Sequence, residues 1–239
     1  MNKKERLLLQ IPWDEEAIFL ERPNRFLGVV ELAKRNGTEK VMVHAHDPGR
    51  LLDLLQPGKR AHLKYSASDK RKTDWDLIAI QNHDRWVLVH SGYNRKICEE
   101  LFKKEISPFG KIRKIVPEVK LGKSRIDFLL EVGNGDEIWV EVKGCTLASG
   151  KVATFPDAPT LRGARHVEEL ISIRQKGVRT AMFFLIFRTE VSCFLPNSAV
   201  DSHFAEVFQQ AVEKGVEVKF RVLQIDGSVY HLKEIPLCS

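Results

Sequence analysis

Three charged side chains interrupt two otherwise apolar runs in SRIDFLLEVGNGDEIWVEVKG, Ser124–Gly144: Asp127 in the first run, Glu141 and Lys143 in the second. A glycine-rich stretch separates the runs, so the segment reads as a β-hairpin. Glu141 and Lys143 are two apart and share one strand face. A tight Asn134-Gly135 turn sets Asp127 opposite Val142, on the wrong face. A three-residue loop, Asn134–Asp136, or a bulge sets it opposite Lys143 and gathers all three. A shared face therefore predicts the longer loop. Two carboxylates so gathered repel, and each is held toward its protonated form unless a cation intervenes. Mg²⁺, or Mn²⁺ in its place, suits such a pair, because it takes hard oxygen ligands and keeps waters for substrate phosphate to displace. In this reading Asp127, Glu141 and the Val142 carbonyl are the metal ligands. Lys143 cannot ligate while protonated, but it places a point charge over an attacking water or a phosphate oxygen. Metal, lysine and phosphate together constitute phosphodiester hydrolysis. The plain alternative is a strand-end aspartate and an exposed Glu141–Lys143 ion pair of little energetic worth.

The elements that must position these residues can be read from periodicity. Asn94–Lys104 is an amphipathic helix with Ile97, Leu101 and Phe102 on one side. Thr160–Lys176 is a second helix, capped by Thr160 and striped by Val167, Leu170, Ile171 and Ile173. Asp201–Lys214 is a third. Strands are expected at Thr180–Phe187, Ser192–Leu195 and Val216–Leu223, with a last hairpin around Asp226-Gly227. Helices alternating with strands make this part α/β. The first ninety residues differ. Short strands at Leu7–Ile11, Ala17–Leu20, Phe26–Leu32, Lys40–His44, Arg60–Tyr65, Asp74–Ile80 and Trp86–Val89 are separated by turn sequences such as RPN, RNG and QPG. One short helix is expected at Arg50–Leu55, with Asp47 as its cap. Many short strands and one short helix suggest a small barrel of the OB type, although SH3-like barrels share the pattern. The fold class expected is α/β (α+β over the whole chain), with domains at 1–85 and 86–239 and the boundary near residues 82–92.

Several basic groups could meet an acidic partner, and the net charge of +6 is mild support for one. Arg162 and His166 lie four apart on one helical face with Arg165 beside them, which points a guanidinium at a phosphate. A solvated basic helix start is the plainer alternative. Arg50 follows a glycine at a turn. Lys70, Arg71 and Lys72 form a basic run beside Trp75, and an OB-like barrel binds single strands with such loops and with stacking aromatics, here Trp75, Trp86 and Tyr65. His44 and His46 share a strand face, but no acid, cysteine or histidine nearby in sequence completes a metal site, so they are expected to be surface histidines. Cys98, Cys145, Cys193 and Cys238 are scattered without a CxxC pair, which suggests neither a zinc ribbon nor a disulfide frame and places the chain in a reducing cytosol. The longest apolar run, Ala181–Phe187, is too short to cross a bilayer. Glu5 and the brevity of the apolar part argue against a signal peptide in MNKKERLLLQIP.

Asp, a hairpin turn, then Glu-x-Lys resembles the core of the PD-(D/E)xK nuclease superfamily. The strings HAHDPGRLLDLLQPG, YNRKICEEL, RIDFLL, VEVKGCTL and FPDAPTLRGARHVEEL, in that order over nearly the whole chain, resemble the sugar fermentation stimulation protein A family of prokaryotes. That resemblance implies an N-terminal OB-like barrel, a three-layer nuclease-like domain after it, DNA binding, and a role in regulating sugar-utilisation genes. By position, Asp127, Glu141 and Lys143 match the nuclease core. Glu99, in NRKICEEL, matches the acid that related nucleases carry on the helix before the hairpin, where it holds a water on the metal; Glu100 is the fallback. Gly144 departs from the family's usual Asn, as does Asp47. Two functions follow from the resemblance: a Mg²⁺- or Mn²⁺-dependent nuclease acting on nucleic acid, DNA above RNA, or a non-catalytic DNA-binding regulator on a nuclease scaffold. The retained triad favours the nuclease, because two bare carboxylates would repel an anionic backbone. Nucleases of this kind often act in pairs, which makes a homodimer an expectation, although no segment marks a dimer face. No membrane partner is expected.

Overall fold

Alternating apolar residues in the N-terminal strands need an interior to face, and a closed barrel supplies one. The computed structural model describes residues 6–69, 71–122, 124–133 and 135–238. Met1–Glu5, and with them the start of the leader reading, lie outside the described residues. The chain divides into two units, Met1–Tyr93 with Leu223–His231 and Asn94–Val222 with Leu232–Ser239.

The first unit contains β1 (Leu7–Gln10), β2 (Glu15–Asn24), β3 (Leu27–Lys34), β4 (Gly37–Ala45), β5 (Arg60–Tyr65), β6 (Trp75–Asn82) and β7 (Arg85–Leu88). Strands β2 to β6 pair in the order β4-β3-β2-β5-β6, and β4 closes the ring on β6 in parallel, Val43 beside Trp75. This is the OB-type topology the turn spacing suggested. Phe19, Val30, Val43, Ala61, Leu63 and Leu77 alternate inward and are fully buried.

The expected helix at Arg50–Leu55 does not form; the stretch is a series of turns. Leu51 adopts φ 51°, outside helical space, while Leu51 and Leu54 are buried. Asp47 caps no helix; its Oδ1 accepts the Gly49 N–H at 2.8 Å. The loop is shaped instead by Arg22, whose guanidinium donates to the carbonyls of Gly49 and Arg50 at 2.7 Å each, Arg25 at 2.6 Å and Asp47 at 2.9 Å. Carbonyls that a helix would satisfy internally are satisfied by one side chain from β2. Arg22→Met should therefore destabilise the first unit by about 2–4 kcal/mol in urea unfolding, since several hydrogen bonds to a charged donor are lost together.

Residues 223–231 also belong to this unit, which a boundary at residue 85 did not anticipate. β15 (Glu217–Ile225) reaches Trp86 through Ile225, and Ser228–Tyr230 of β16 (Ser228–Lys233) pair with β1. The partners stand at opposite ends of the chain, so no local pattern announces them.

The second unit begins with α1 (Asn94–Phe102), then β8 (Ile112–Leu121), β9 (Ser124–Val132), β10 (Glu137–Cys145), β11 (Leu147–Ser149), β12 (Val152–Phe155), α2 (Leu161–Arg174), β13 (Arg179–Ile186), β14 (Cys193–Pro196) and α3 (Ser202–Glu213). Its main sheet runs β15-β13-β10-β9-β8, with β10, β13 and β15 parallel. Side-chain alternation along β13 sorts the layers. Met182, Phe184 and Ile186 join one core with Ala164, Val167 and Leu170 of α2 and Phe204 and Phe208 of α3. Phe183, between them, faces Phe102 of α1, which also meets Phe128. The sheet is thus sandwiched by α1 on one face and by α2 with α3 on the other, the three layers expected. Thr160 caps α2 as expected, and Asp201 caps α3, accepting the Phe204 N–H. Strand β8 was not foreseen, because Pro117 interrupts its pattern; it is the edge strand, where proline costs no ladder bond.

The cysteine expectation is corrected. Cys193 and Cys238 form a disulfide. The chain end runs alongside β14, with Phe194 N–H on Pro236 O and Cys238 N–H on Phe194 O, both 3.0 Å. That pairing brings together two cysteines 45 residues apart. Cys98 and Cys145 are free and buried.

Candidate active site

The hairpin brings its acids together by a register two residues from the one expected. Glu131 pairs with Glu137, Leu130 with Ile138, Leu129 with Trp139 and Phe128 with Val140. At the turn, Val132 N–H bonds Asp136 O at 2.9 Å and Gly135 N–H bonds Val132 O at 2.8 Å; Asn134 lies outside the described residues. The connection is still longer than a tight turn, but it spans 133–135, not Asn134–Asp136. Asp127 consequently stands level with Glu141, not Lys143. A shift of two leaves every side chain on its face, so the shared face survives the correction.

That face is the one covered by α2. Glu141 and Lys143 lie beside Met182 and Phe184 in register, on the side of the α2–α3 core. The ladder between β9 and β10 ends at Phe128 and Val140, and the Asp127 carboxylate takes over, accepting the Val142 N–H at 2.7 Å. Lys143 Nζ donates to Glu141 Oε1 at 2.5 Å, and His166 Nδ1 meets the same oxygen at 2.5 Å. Arg162 Nε donates to His166 Nε2 at 3.4 Å, which makes Nε2 an acceptor and leaves the ring proton on Nδ1, directed at Glu141. Glu141 Oε2 is buried and has no hydrogen-bond partner among the described residues.

Electrostatics divide the two acids. Burial pushes the Asp127 carboxyl up, the charge of Glu141 pushes it further, and it reaches about 6 despite the Val142 N–H and Lys143. Burial would raise Glu141 too, but Lys143 and His166 outweigh it and hold that carboxyl below the usual range. One acid is kept ionised by its neighbours and the other is left short of positive charge, the condition a divalent cation relieves.

The remaining expected residues fall into different places. Glu99, on α1, is bonded to Arg95 at 2.9 Å rather than to either acid. Its charge and that of Asp127 both bear on the Cys98 thiol, which burial above all pushes up. Arg95 also reaches Glu118 of β8 at 3.4 Å, and Glu118 bonds Arg125 at 3.2 Å. Glu118 has φ 54° and lies across from Asp127, where the β8–β9 pairing skips from Pro117 to Val119. Sequence reasoning missed it, having seen no strand there. Arg162 and Arg165 are exposed as expected. His166 is not: it is 4% exposed and stands behind Glu141 instead of facing a phosphate. The signal was present, since His166 lies three after buried Gly163 and four before buried Leu170, within the helix's inward stripe.

In the first unit Arg50 and Lys72 are exposed, and Lys70 lies outside the described residues. The Arg71 guanidinium is turned to Asp76 and bonded to both of its carboxylate oxygens. Tyr65 is 55% exposed, edge-on to Trp75. Trp86 is covered by His62, which stacks in turn on Trp13, so Trp13 is the outer ring of that stack and the one sequence reasoning overlooked.

Gly144 leaves room for Asn94 against the end of β10. A Cβ there would lie 2.7 Å from Asn94 Nδ2, so Asn94 occupies the space a side chain would need. Gly144→Ala should destabilise by about 1–3 kcal/mol through overpacking, and Asn94→Ala should relieve much of that in a double-mutant cycle.

Comparison with known proteins places this arrangement. Residues 92–228 match the model of the sugar fermentation stimulation protein RE domain, and residues 20–89 that of the SfsA N-terminal OB domain. A sugar fermentation stimulation protein homolog of Methanococcoides burtonii is 46% identical over 98% of this chain and 96% of its own length. One from Thermotoga neapolitana is 45% identical over 96% of this chain and 98% of its own. The solved structure of Pyrococcus furiosus SfsA in complex with Ca²⁺ matches 98% of this chain and 99% of its own, at 30% identity and a TM-score of 0.86.

Proposed function

The chain belongs to the sugar fermentation stimulation protein family, and from that premise we propose that its second unit is a Mg²⁺- or Mn²⁺-dependent nuclease acting on DNA that the first unit helps to hold. The observation that carries this reading is Glu141 Oε2, a buried carboxylate oxygen without a hydrogen-bond partner among the described residues, on the same strand face as an acid pushed up to about 6. Leaving such an oxygen unpaired is costly unless something positive occupies the site. Asp127 and Glu141 would hold the ion, with hard oxygen donors that suit Mg²⁺ or Mn²⁺. A Ca²⁺ complex of a relative 30% identical agrees with an oxygen-lined site. A bound ion supplies Lewis acidity at the phosphoryl oxygens.

The chain's own residues do the rest. Val142 N–H fixes Asp127 in place. His166, itself held by Arg162, fixes Glu141 from behind. Lys143 is half-buried beside the acids, within reach of a phosphate oxygen entering there. Arg162 and Arg165, exposed on the same helix, offer the backbone a basic approach.

One observation favours the regulator instead: Lys143 and His166 already satisfy Glu141 Oε1, which lets the fold hold its acids without an ion. Incubation with single-stranded, duplex and branched DNA, and with RNA, in Mg²⁺, Mn²⁺ or chelator separates the two. The nuclease requires cleavage in cation that Asp127→Ala abolishes. Absence of cleavage on every substrate, with salt-sensitive binding indifferent to chelator and to both Asp127→Ala and Lys143→Ala, would leave the regulator.

A further inference from the structure

The string HAHD finds partners that its sequence neighbourhood does not contain. His46 follows β4, Asp76 lies in β6, and His90 follows β7. The parallel closure of the barrel sets His44 beside Asp76 and carries His46 past it. His46 Nε2 then lies 3.0 Å from Asp76 Oδ1. The His90 ring stacks on that of His46 with centroids 3.7 Å apart. Ser91 Oγ donates to His46 O at 2.8 Å and ties the two segments together. One ligand atom from each of His46, Asp76 and His90 falls within 4.8 Å of the others.

Two features point to an occupant. His90 Nδ1 is buried and, among the described residues, has no hydrogen-bond partner. Beside it stands Gly92, where a Cβ would lie 2.9 Å from His90 Cε1 and 3.1 Å from Nδ1, so no side chain can fill the space next to that nitrogen. Asp76 is 6% exposed, and a carboxylate so buried needs positive charge close by. At present Arg71 provides it, through Nη1 to Oδ2 at 3.2 Å and Nη2 to Oδ1.

We propose that His46, Asp76 and His90 form a second metal site, in the OB-type unit, for a divalent transition ion such as Zn²⁺. Two imidazoles and one carboxylate make a donor set softer than the all-oxygen pair Asp127/Glu141, and it selects zinc, cobalt or nickel over magnesium. The ligands come from the segment after β4, from β6 and from the segment after β7, so the ion would cross-link the strands that close the barrel. Arg71 and the ion compete for the same carboxylate oxygen, which gives the loop carrying Arg71 two alternative anchors: Asp76 when the site is free, solvent or a phosphate when it is filled. This site does not depend on whether the second unit cleaves DNA.

X-ray absorption at the zinc edge decides it on the full chain, loaded with one equivalent of Zn²⁺ in excess Mg²⁺. Two imidazole ligands are expected. One or none overturns the proposal, because the Asp127/Glu141 site offers a single imidazole, His166. Competition dialysis with Zn²⁺ should show binding at least about tenfold weaker in His46→Ala and His90→Ala, unchanged in His44→Ala, and tighter in Arg71→Gln. Should the histidine variants lose their fold by circular dichroism, the wild-type spectrum and Arg71→Gln still decide. Fewer than two imidazoles, or a zinc affinity that Arg71→Gln leaves unchanged or weakens, refutes it.

Discussion

Asp127→Asn should abolish cation-dependent cleavage and, without cation, make the second unit more stable. The two outcomes share one cause. The Asp127 carboxyl is buried beside Glu141 and is pushed from 3.8 to about 6. Ionised at neutral pH, it opposes folding by about 2–3 kcal/mol relative to the unfolded chain. Asparagine keeps an oxygen for the Val142 N–H and removes the charge. For a chain of this size the gain is a rise of several degrees, at about 2–4 °C per kcal/mol. The pH dependence runs opposite to that of most carboxylates. Because the folded value lies above the unfolded one, the penalty is absent below about 4, grows as pH rises through 4 to 6, and is complete above 6. The advantage of Asp127→Asn should therefore be greatest at pH 7 and vanish near pH 4. Mg²⁺, Mn²⁺ or Ca²⁺ should raise the melting temperature of the wild type and not of the variant, and the rise should fade below pH 6 as protons compete for Asp127. Thermal melts across pH with cation or chelator test this, and equal cation responses in both proteins would remove the metal from Asp127.

Lys143→Met should reduce single-turnover cleavage by about 10²–10³-fold, the cost of deleting one group that stabilises charge developing in the transition state. DNA binding should persist, because Arg162 and Arg165 are exposed and untouched by the change. Lys143→Arg is not expected to rescue, since a planar fork cannot replace a compact ammonium in a half-buried position beside Glu141. The substitution also leaves Glu141 Oε1 with His166 alone. Metal-free stability should fall by about 1–3 kcal/mol, the penalty for a buried carboxylate that has lost a charged partner. Cleavage and binding measured on the same preparation separate the roles. If both fall by the same factor, Lys143 positions DNA and takes no part in the chemistry.

Strand alternation and turn chemistry were enough to anticipate the OB-type barrel, the alternation of helices and strands after it, the Thr160 helix cap, and the shared face of Glu141 and Lys143. Each of these depends on residues close together in sequence, where a period of two or of 3.6 directly dictates which way a side chain points. The hairpin shows the limit of that information. Its face was legible, but its register was settled by a turn one residue earlier than expected. The Arg50–Leu55 helix failed for a related reason: a propensity read locally was overruled by the Arg22 guanidinium arriving from β2.

Everything assembled from distant segments had to await folding. His166 behind Glu141, Cys193 against Cys238, β1 beside β16, and His46 with Asp76 and His90 each join residues separated by 25 positions or more. Periodicity carries no information across such gaps, because it describes the direction of a side chain within one element and not which other element lies opposite. Sheet order and helix packing make that choice. They set His166, an expected phosphate contact, as a support for a carboxylate, and made His46, one of two expected surface histidines, a member of a cluster around a buried acid.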